Sequence, residues 1–227
     1  MQKSLCTGVV IVLSSISAYA ADAPVRGPVK APAPVAVAAP LFNWSGFYYG
    51  VQGGYAWGDS THTNSATGAS SGNIDANGVL LGGTVGANWQ SGTFVTGVEA
   101  DLAWANADGS GGNAAACAGA CSTEVSWLGT GRVRAGLAFD AYLFYVTGGA
   151  AFGGVEGGQA GFTSSDKTRV GWTVGTGVEA AVTRNWTTKV EYLYADLGDK
   201  GAYTTPAGPY NVDLKSHIVR MGLNYKF

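Results

Sequence analysis

Charged side chains are scarce in this sequence of 227 residues, which has 13 Lys and Arg, 15 Asp and Glu, and only 2 His. Charged residues make up 12% of the chain, against about 25% in an average soluble domain. The net charge of −2 leaves no basic surface for nucleic acid. The 36 Gly residues exclude an all-helical fold, because a Gly inside a helix costs about 1 kcal/mol relative to Ala.

Long apolar runs are also missing, so the sequence predicts no membrane-spanning helix in the mature chain. Residues 1–20 have the parts of a secretory signal peptide: Lys3, an apolar stretch from Gly8 to Ile16, and the small-x-small cleavage site Ala18-Tyr19-Ala20. Residues 21–41 hold five of the seven prolines, which favours an extended periplasmic lead-in. Residues 42–227 are left for the folded domain.

Cysteine is rare as well, with Cys117 and Cys121 the two that remain after Cys6 is removed with the signal. They lie four residues apart in a Gly/Ala-rich stretch. Export to an oxidising compartment favours a small loop disulfide between them, and metal binding by the two thiols is the alternative.

Alternating apolar and small or polar residues are abundant, and they recur in eight segments of about ten residues. One example is the segment from Phe94 to Trp104, in which Phe94, Val98 and Leu102 share a face. An exported chain without apolar helices crosses a bilayer as a closed β-barrel, because its backbone groups are then paired between strands. We therefore predict an all-β, eight-stranded antiparallel up-and-down transmembrane β-barrel. In the fifth, Gly-rich segment the alternation is ambiguous, and the outward face is assigned to Phe144, Val146, Ala150 and Phe152.

The connections between the segments alternate in length. Three short turns are predicted near Ser91-Gly92, Asp140-Ala141 and Arg184-Asn185. Four long polar loops are predicted at 59–77, 107–122, 157–167 and 198–211. Short periplasmic turns and long exterior loops are typical of outer-membrane barrels, which puts both termini in the periplasm.

Aromatic positions indicate which face meets lipid. On strands that run alternately up and down, the outward aromatics sort into two levels. Phe94 and Trp104 are ten residues apart, about 34 Å along the strand and about 26 Å after projection at a tilt of about 40°. Two aromatic girdles are therefore predicted, and their tryptophans are Trp57, Trp89, Trp104, Trp127, Trp172 and Trp186.

The opposite face carries four acids and four bases. Because buried charges must be paired, we predict an ion network that fills the narrow lumen and stabilises the fold. Its members are Glu99, Asp101, Arg132, Arg134, Glu179, Lys189, Glu191 and Arg220.

Several segments carry a resemblance to a known family, among them FNWSGFYYGVQGGYAWG (Phe42 to Gly58), GRVRAGLAF (Gly131 to Phe139), WTTKVEYLYADLG (Trp186 to Gly198) and the C-terminal HIVRMGLNYKF. Together they resemble the outer-membrane immunogenic proteins of the opacity-type β-barrel family. The resemblance implies an eight-stranded surface-exposed barrel inserted by the barrel-assembly machinery, whose C-terminal signal is matched by Tyr225 and Phe227. It brings no catalytic residues with it.

The sequence therefore predicts a non-enzymatic outer-membrane protein of a Gram-negative envelope, without cofactor or metal, that contributes to envelope integrity and acts as a surface antigen. Its predicted partners are outer-membrane lipid and lipopolysaccharide, the assembly machinery, and extracellular ligands at the loops. Two alternatives stay open: a narrow porin-like passive channel, and a lipid hydrolase at the rim using His217 beside Ser216.

Overall fold

The structure is a computed structural model that describes residues 42–111, 121–159, 167–198, 201–205 and 208–227. The signal peptide predicted at 1–20 and the lead-in predicted at 21–41 lie outside the described residues and stay predictions. Within the described ranges, no helix has the length and apolar character needed to span a membrane.

The described residues form nine β-strands. These are β1 (Gly46–Asn64), β2 (Ser70–Ser91), β3 (Phe94–Gly111), β4 (Cys121–Phe139), β5 (Tyr142–Gln159), β6 (Lys167–Ala181), β7 (Trp186–Asp196), β8 (Gly201–Thr205) and β9 (Gly208–Lys226).

Eight long strands form a closed sheet in the order β1-β2-β3-β4-β5-β6-β7-β9, and β1 also pairs with β9. Every pairing is antiparallel, and the short β8 extends the sheet only from β9. Closure pairs the backbone groups of both would-be edge strands. The prediction of an all-β, eight-stranded antiparallel barrel is confirmed.

The strands extend further than the apolar pattern indicated. The predicted loop 59–77 was wrong in extent, because β1 continues to Asn64 and β2 begins at Ser70. Likewise β3 reaches Gly111, β5 reaches Gln159, and β8 and β9 occupy much of 198–211. In β1, β2 and β3 the outward positions of these extensions are polar, whereas their inward positions include both polar residues and buried apolar ones such as Ile74 and Ala107. The outward apolar residues that mark the rest of each strand are therefore missing there.

The short turns lie where predicted, within one or two residues. Strand β2 ends at Ser91 and β3 begins at Phe94, with Gly92 at a φ of 61°. Asp140-Ala141 joins β4 to β5, and Asp140 adopts a φ of 53° that its short polar side chain tolerates.

Side chains alternate strictly between the two faces along most of the wall. In β3 the outward Phe94, Val98 and Leu102 are exposed, whereas the inward Val95 and Glu99 are buried. The ambiguous fifth segment follows the predicted assignment for Phe144, Val146 and Phe152, which are exposed, while Leu143 and Tyr145 are buried.

Glycines on the inward face make room for two tyrosine rings. A Cβ at Gly86 would lie 2.4 Å from the ring of Tyr48, and one at Gly177 would lie 2.6 Å from the ring of Tyr145. The rings therefore lie directly against backbone, and a side chain at either glycine would displace them.

Candidate functional site

The barrel interior brings together all eight charged residues assigned to the lumen. Their side chains are almost completely buried, with at most 6% of any ion-paired side chain exposed. They come from five strands: Glu99 and Asp101 (β3), Arg132 and Arg134 (β4), Glu179 (β6), Lys189 and Glu191 (β7), and Arg220 (β9). Four acids face four bases, so the interior carries no net charge from this set.

Arg132 contacts three of the four acids of this ion network. It forms salt bridges with Glu99, with Asp101 at 3.0 Å and with Glu191 at 2.9 Å. Arg220 lies 3.0 Å from Asp101 and 2.7 Å from Glu191, so the two arginines hold the same carboxylates from opposite walls. Such charge-assisted contacts restrict both geometry and solvent entry.

The remaining members complete the connection across the lumen. Arg134 lies 2.6 Å from Glu179, and Lys189 Nζ lies 2.8 Å from Glu99. Arg134 also lies over the ring of Tyr145, 4.3 Å from its centroid, a cation–π distance.

Neutral residues that were not predicted to belong to the network donate hydrogen bonds to its carboxylates. Tyr48 Oη donates to Glu99 at 2.7 Å, and Tyr145 Oη donates to Glu191 at 3.1 Å. Thr130 Oγ1 donates to Asp101 at 2.6 Å, and Asn224 Nδ2 donates to Glu179 at 3.0 Å. Their inward position in the strand alternation was the available signal, since each shares a face with charged network residues.

An apolar layer fills the lumen on one side of the ion network. Small alanines from several strands pack there with Leu80, Leu128, Leu193 and Ile218. The remaining space is about 20 Å³, which is about the volume of one water. This layer and the ion network together fill two successive levels of the described part of the lumen with packed side chains.

Beyond this apolar layer, a buried polar cluster joins the strand extensions. Thr123 Oγ1 lies 2.8 Å from Ser60 Oγ and 2.9 Å from His62 Nε2, and the backbone N–H of His62 donates to Ser71 Oγ at 3.0 Å. Burial lowers the pKa of His62 to about 4, and the nearby guanidinium of Arg169 acts in the same direction. The cluster ties β1, β2 and β4 together outside the apolar layer.

Five of the six tryptophans assigned to girdles are exposed on the outward face: Trp57, Trp89, Trp104, Trp172 and Trp186. Trp127 is only partly exposed, because a register shift between Val125 and Trp127 in the β4–β5 pairing changes the alternation there. No sequence signal marked this bulge.

The rim residues considered for hydrolysis do not converge. Ser216 lines the apolar layer inside the barrel, whereas the ring of His217 stacks outside against Trp57 at a centroid distance of 6.0 Å. The Nδ1 atom of His217 lies 2.7 Å from the phenol oxygen of Tyr192. Ser216 therefore does not lie beside the ring of His217.

Two other predicted features are placed only in part. Cys117 lies outside the described residues, and Cys121 begins β4, so their disulfide stays a prediction. Tyr225 and Phe227 pack against each other and against Tyr49 near the end of β9.

Comparisons with known proteins agree with this architecture. Residues 9–227 match the family described as "Outer membrane protein beta-barrel domain". The chain is 37% identical over 242 residues to the 31 kDa outer-membrane immunogenic protein of Brucella melitensis biotype 1, covering 99% of this chain and all of the relative. It is 36% identical over 191 residues to the 22 kDa outer membrane protein of Rhizobium leguminosarum bv. viciae, covering 83% and 80% of the two chains.

Among solved structures, the fold is similar to the crystal structure of the outer membrane protein OprG from Pseudomonas aeruginosa, with a TM-score of 0.56 and 16% identity over 82% of this chain and 97% of that one. Fold and sequence together define an integral outer-membrane β-barrel protein. The chain belongs to the outer-membrane β-barrel family, and its relatives include proteins named as outer-membrane immunogenic proteins. The predicted family and the predicted outer-membrane localisation are confirmed.

Proposed function

We propose that the protein is a non-enzymatic structural component of the outer membrane that presents its long loops at the cell surface. The observation that carries this proposal is the occluded interior, where the ion network and the apolar layer fill the lumen. A barrel filled in this way contributes a rigid, impermeable wall, and binding is left to its exposed loops.

We place the mouth that carries both chain ends in the periplasm. The short turns lie at this mouth and the long strand extensions at the other, the arrangement typical of outer-membrane barrels. The exposed Trp89 and Trp186 then lie in the periplasmic girdle, and Trp57, Trp104 and Trp172 in the outer girdle. Trp127 contributes less to the outer girdle, because its side chain is partly buried.

The proposed partners follow from this placement. Outer-membrane lipid, including lipopolysaccharide, surrounds the apolar wall, and the assembly machinery reads the C-terminal strand with Tyr225 and Phe227. Extracellular ligands bind at the loops. Antigenic character is inferred from the relatives that are named as immunogenic proteins.

Single-channel recording in planar bilayers tests the structural role against the passive channel. We expect no conductance steps from the wild-type barrel, because the salt bridges of Arg132 and Arg220 close the lumen. Discrete steps that change when Arg132 or Arg220 is neutralised would establish the channel instead. Hydrolysis of a lipid ester that disappears in His217→Ala would establish the enzyme.

A further inference from the structure

The mouth that carries both chain ends is covered by a short segment outside the strands. This segment, residues 42–45, is named here the terminal plug. Its Trp44 is 1% exposed although it precedes β1, and it packs with Val95, Ala138, Leu143 and Tyr145 inside the barrel end. Phe42 packs edge-on against Trp44, with ring centroids 4.7 Å apart. The indole of Trp44 therefore fills this mouth of the barrel.

On two sides of the mouth the plug forms hydrogen bonds, with the end of β2 on one side and with the β4–β5 turn on the other. The backbone N–H of Trp44 donates to Gln90 Oε1 at 2.8 Å, and the backbone N–H of Gln90 donates to Ser45 Oγ at 2.9 Å. On another side, the indole N–H of Trp44 points at the carbonyl of Asp140, 3.4 Å away. The segment thus crosses from β2 to the β4–β5 turn.

A lysine from the last strand holds the same segment from a third side. Lys226 Nζ donates to the carbonyl of Asn43 and, at 3.1 Å, to that of Ser45, and it lies over the ring of Phe42. The strand end bearing Lys226 is itself fixed, since Asn185 Nδ2 donates to the Lys226 carbonyl at 2.8 Å. The plug is complete only when β9 has closed the barrel against β1.

We propose that residues 42–45 form a releasable plug, which closes the lumen to water at the mouth that carries both chain ends and opens while the barrel wall stays intact. The contacts that hold it, one indole and a few hydrogen bonds to loops and strand ends, are separate from the ladder hydrogen bonds of the wall. Local opening of such a segment needs less free energy than global unfolding. Because residues 21–41 precede Phe42 directly, tension along the chain from that side reaches Phe42 and Asn43 first and then Trp44.

Access of a reagent to a cysteine beneath Trp44 tests the plug. In a mature barrel carrying Cys117→Ser and Cys121→Ser, Val95→Cys places the only thiol under the indole. The probe is a small cationic methanethiosulfonate added to the folded barrel in detergent micelles. We expect Trp44→Ala to label about tenfold faster than the parent, which corresponds to about 1.4 kcal/mol of lost protection. Lys226→Met should also accelerate labelling, by a smaller factor.

Trp186→Ala is the matched control, since it removes an outward tryptophan from the same end of the barrel and should leave labelling unchanged. Faster migration of the unboiled sample on a gel verifies that each variant is folded. Leu143→Cys is the second reporter if Val95→Cys does not fold, because Leu143 is fully buried in the same cluster. Equal labelling rates with and without Trp44, at either reporter, would overturn the proposal.

Discussion

The same strands pass through two regions that differ in how they use their faces. At membrane level, apolar side chains such as Val98 point outward while charged ones such as Glu99 point inward. In the extensions beyond, β1 and β2 place polar residues on both faces, with Asp59 and Asp75 outward and Ser60 and His62 inward. Lipid therefore imposes the apolar alternation at membrane level, whereas the extensions are held by backbone pairing and a small polar cluster.

The largest effect should follow from breaking the ion network at membrane level. Arg132→Ala removes one of the two guanidinium groups that contact Glu99, Asp101 and Glu191, the other being that of Arg220, so four buried acids then face only three bases. Removal of one side of a buried ion pair costs about 3–5 kcal/mol. Urea unfolding in micelles, followed by gel migration, measures this loss. Lys215→Ala, which breaks the exposed pair with Asp213, should leave the unfolding midpoint unchanged. Similar losses in the two variants would remove the distinction between the regions.

The second-largest difference between the two regions should follow from placing a charge on the outward face. Val98→Arg puts a guanidinium into the lipid layer and should lower the free energy of unfolding in liposomes by about 2–4 kcal/mol. Ser110→Arg, on the same face of β3 but in its extension, should change it by no more than about 0.5 kcal/mol. If Val98→Arg inserts as stably as Ser110→Arg, the assignment of the lipid-facing surface is wrong.

A smaller effect, confined to the extensions, should come from acid. His62 has a pKa of about 4 when folded, against 6.5 for an exposed histidine. The contribution of neutral His62 to the stability of the extensions is therefore complete above pH 6.5. It falls as the pH drops toward 4, because only the opened state takes up the proton, and it does not change further below pH 4. The loss is at most about 3 kcal/mol. Arg169 of β6 adds its positive charge beside His62, and Asp213 of β9 partly offsets Arg169.

Amide hydrogen exchange, corrected for the intrinsic effect of pH, measures this opening in β1 and β2 separately from the membrane-level strands. His62→Gln should remove the pH dependence of the extensions, and His217→Gln should keep it, because His217 lies on the outer surface. A pH dependence that survives in His62→Gln would assign the effect to another group.

Sequence alone predicted the fold and the charged lumen because both follow from alternation. Each network residue occupies an inward position next to outward apolar residues, as Arg132 does beside Val133. The extensions were missed because His62 and Asn64 are inward yet polar, so they look like loop residues. The burial of Trp44 was missed for a different reason. This residue lies before the first strand, where no two-residue alternation predicts the direction of its side chain. The partial burial of Trp127 depends on a bulge that only the paired strand reveals.

The junction between the first and last long strands runs without a register break from Tyr48 opposite Lys226 to Asn64 opposite Tyr210. It is more continuous than the neighbouring β1–β2 hairpin, whose register shifts between Thr61 and Thr63, although it joins residues from opposite ends of the chain. A molecule dissolved among the acyl chains therefore finds no sideways gate into the interior along this junction.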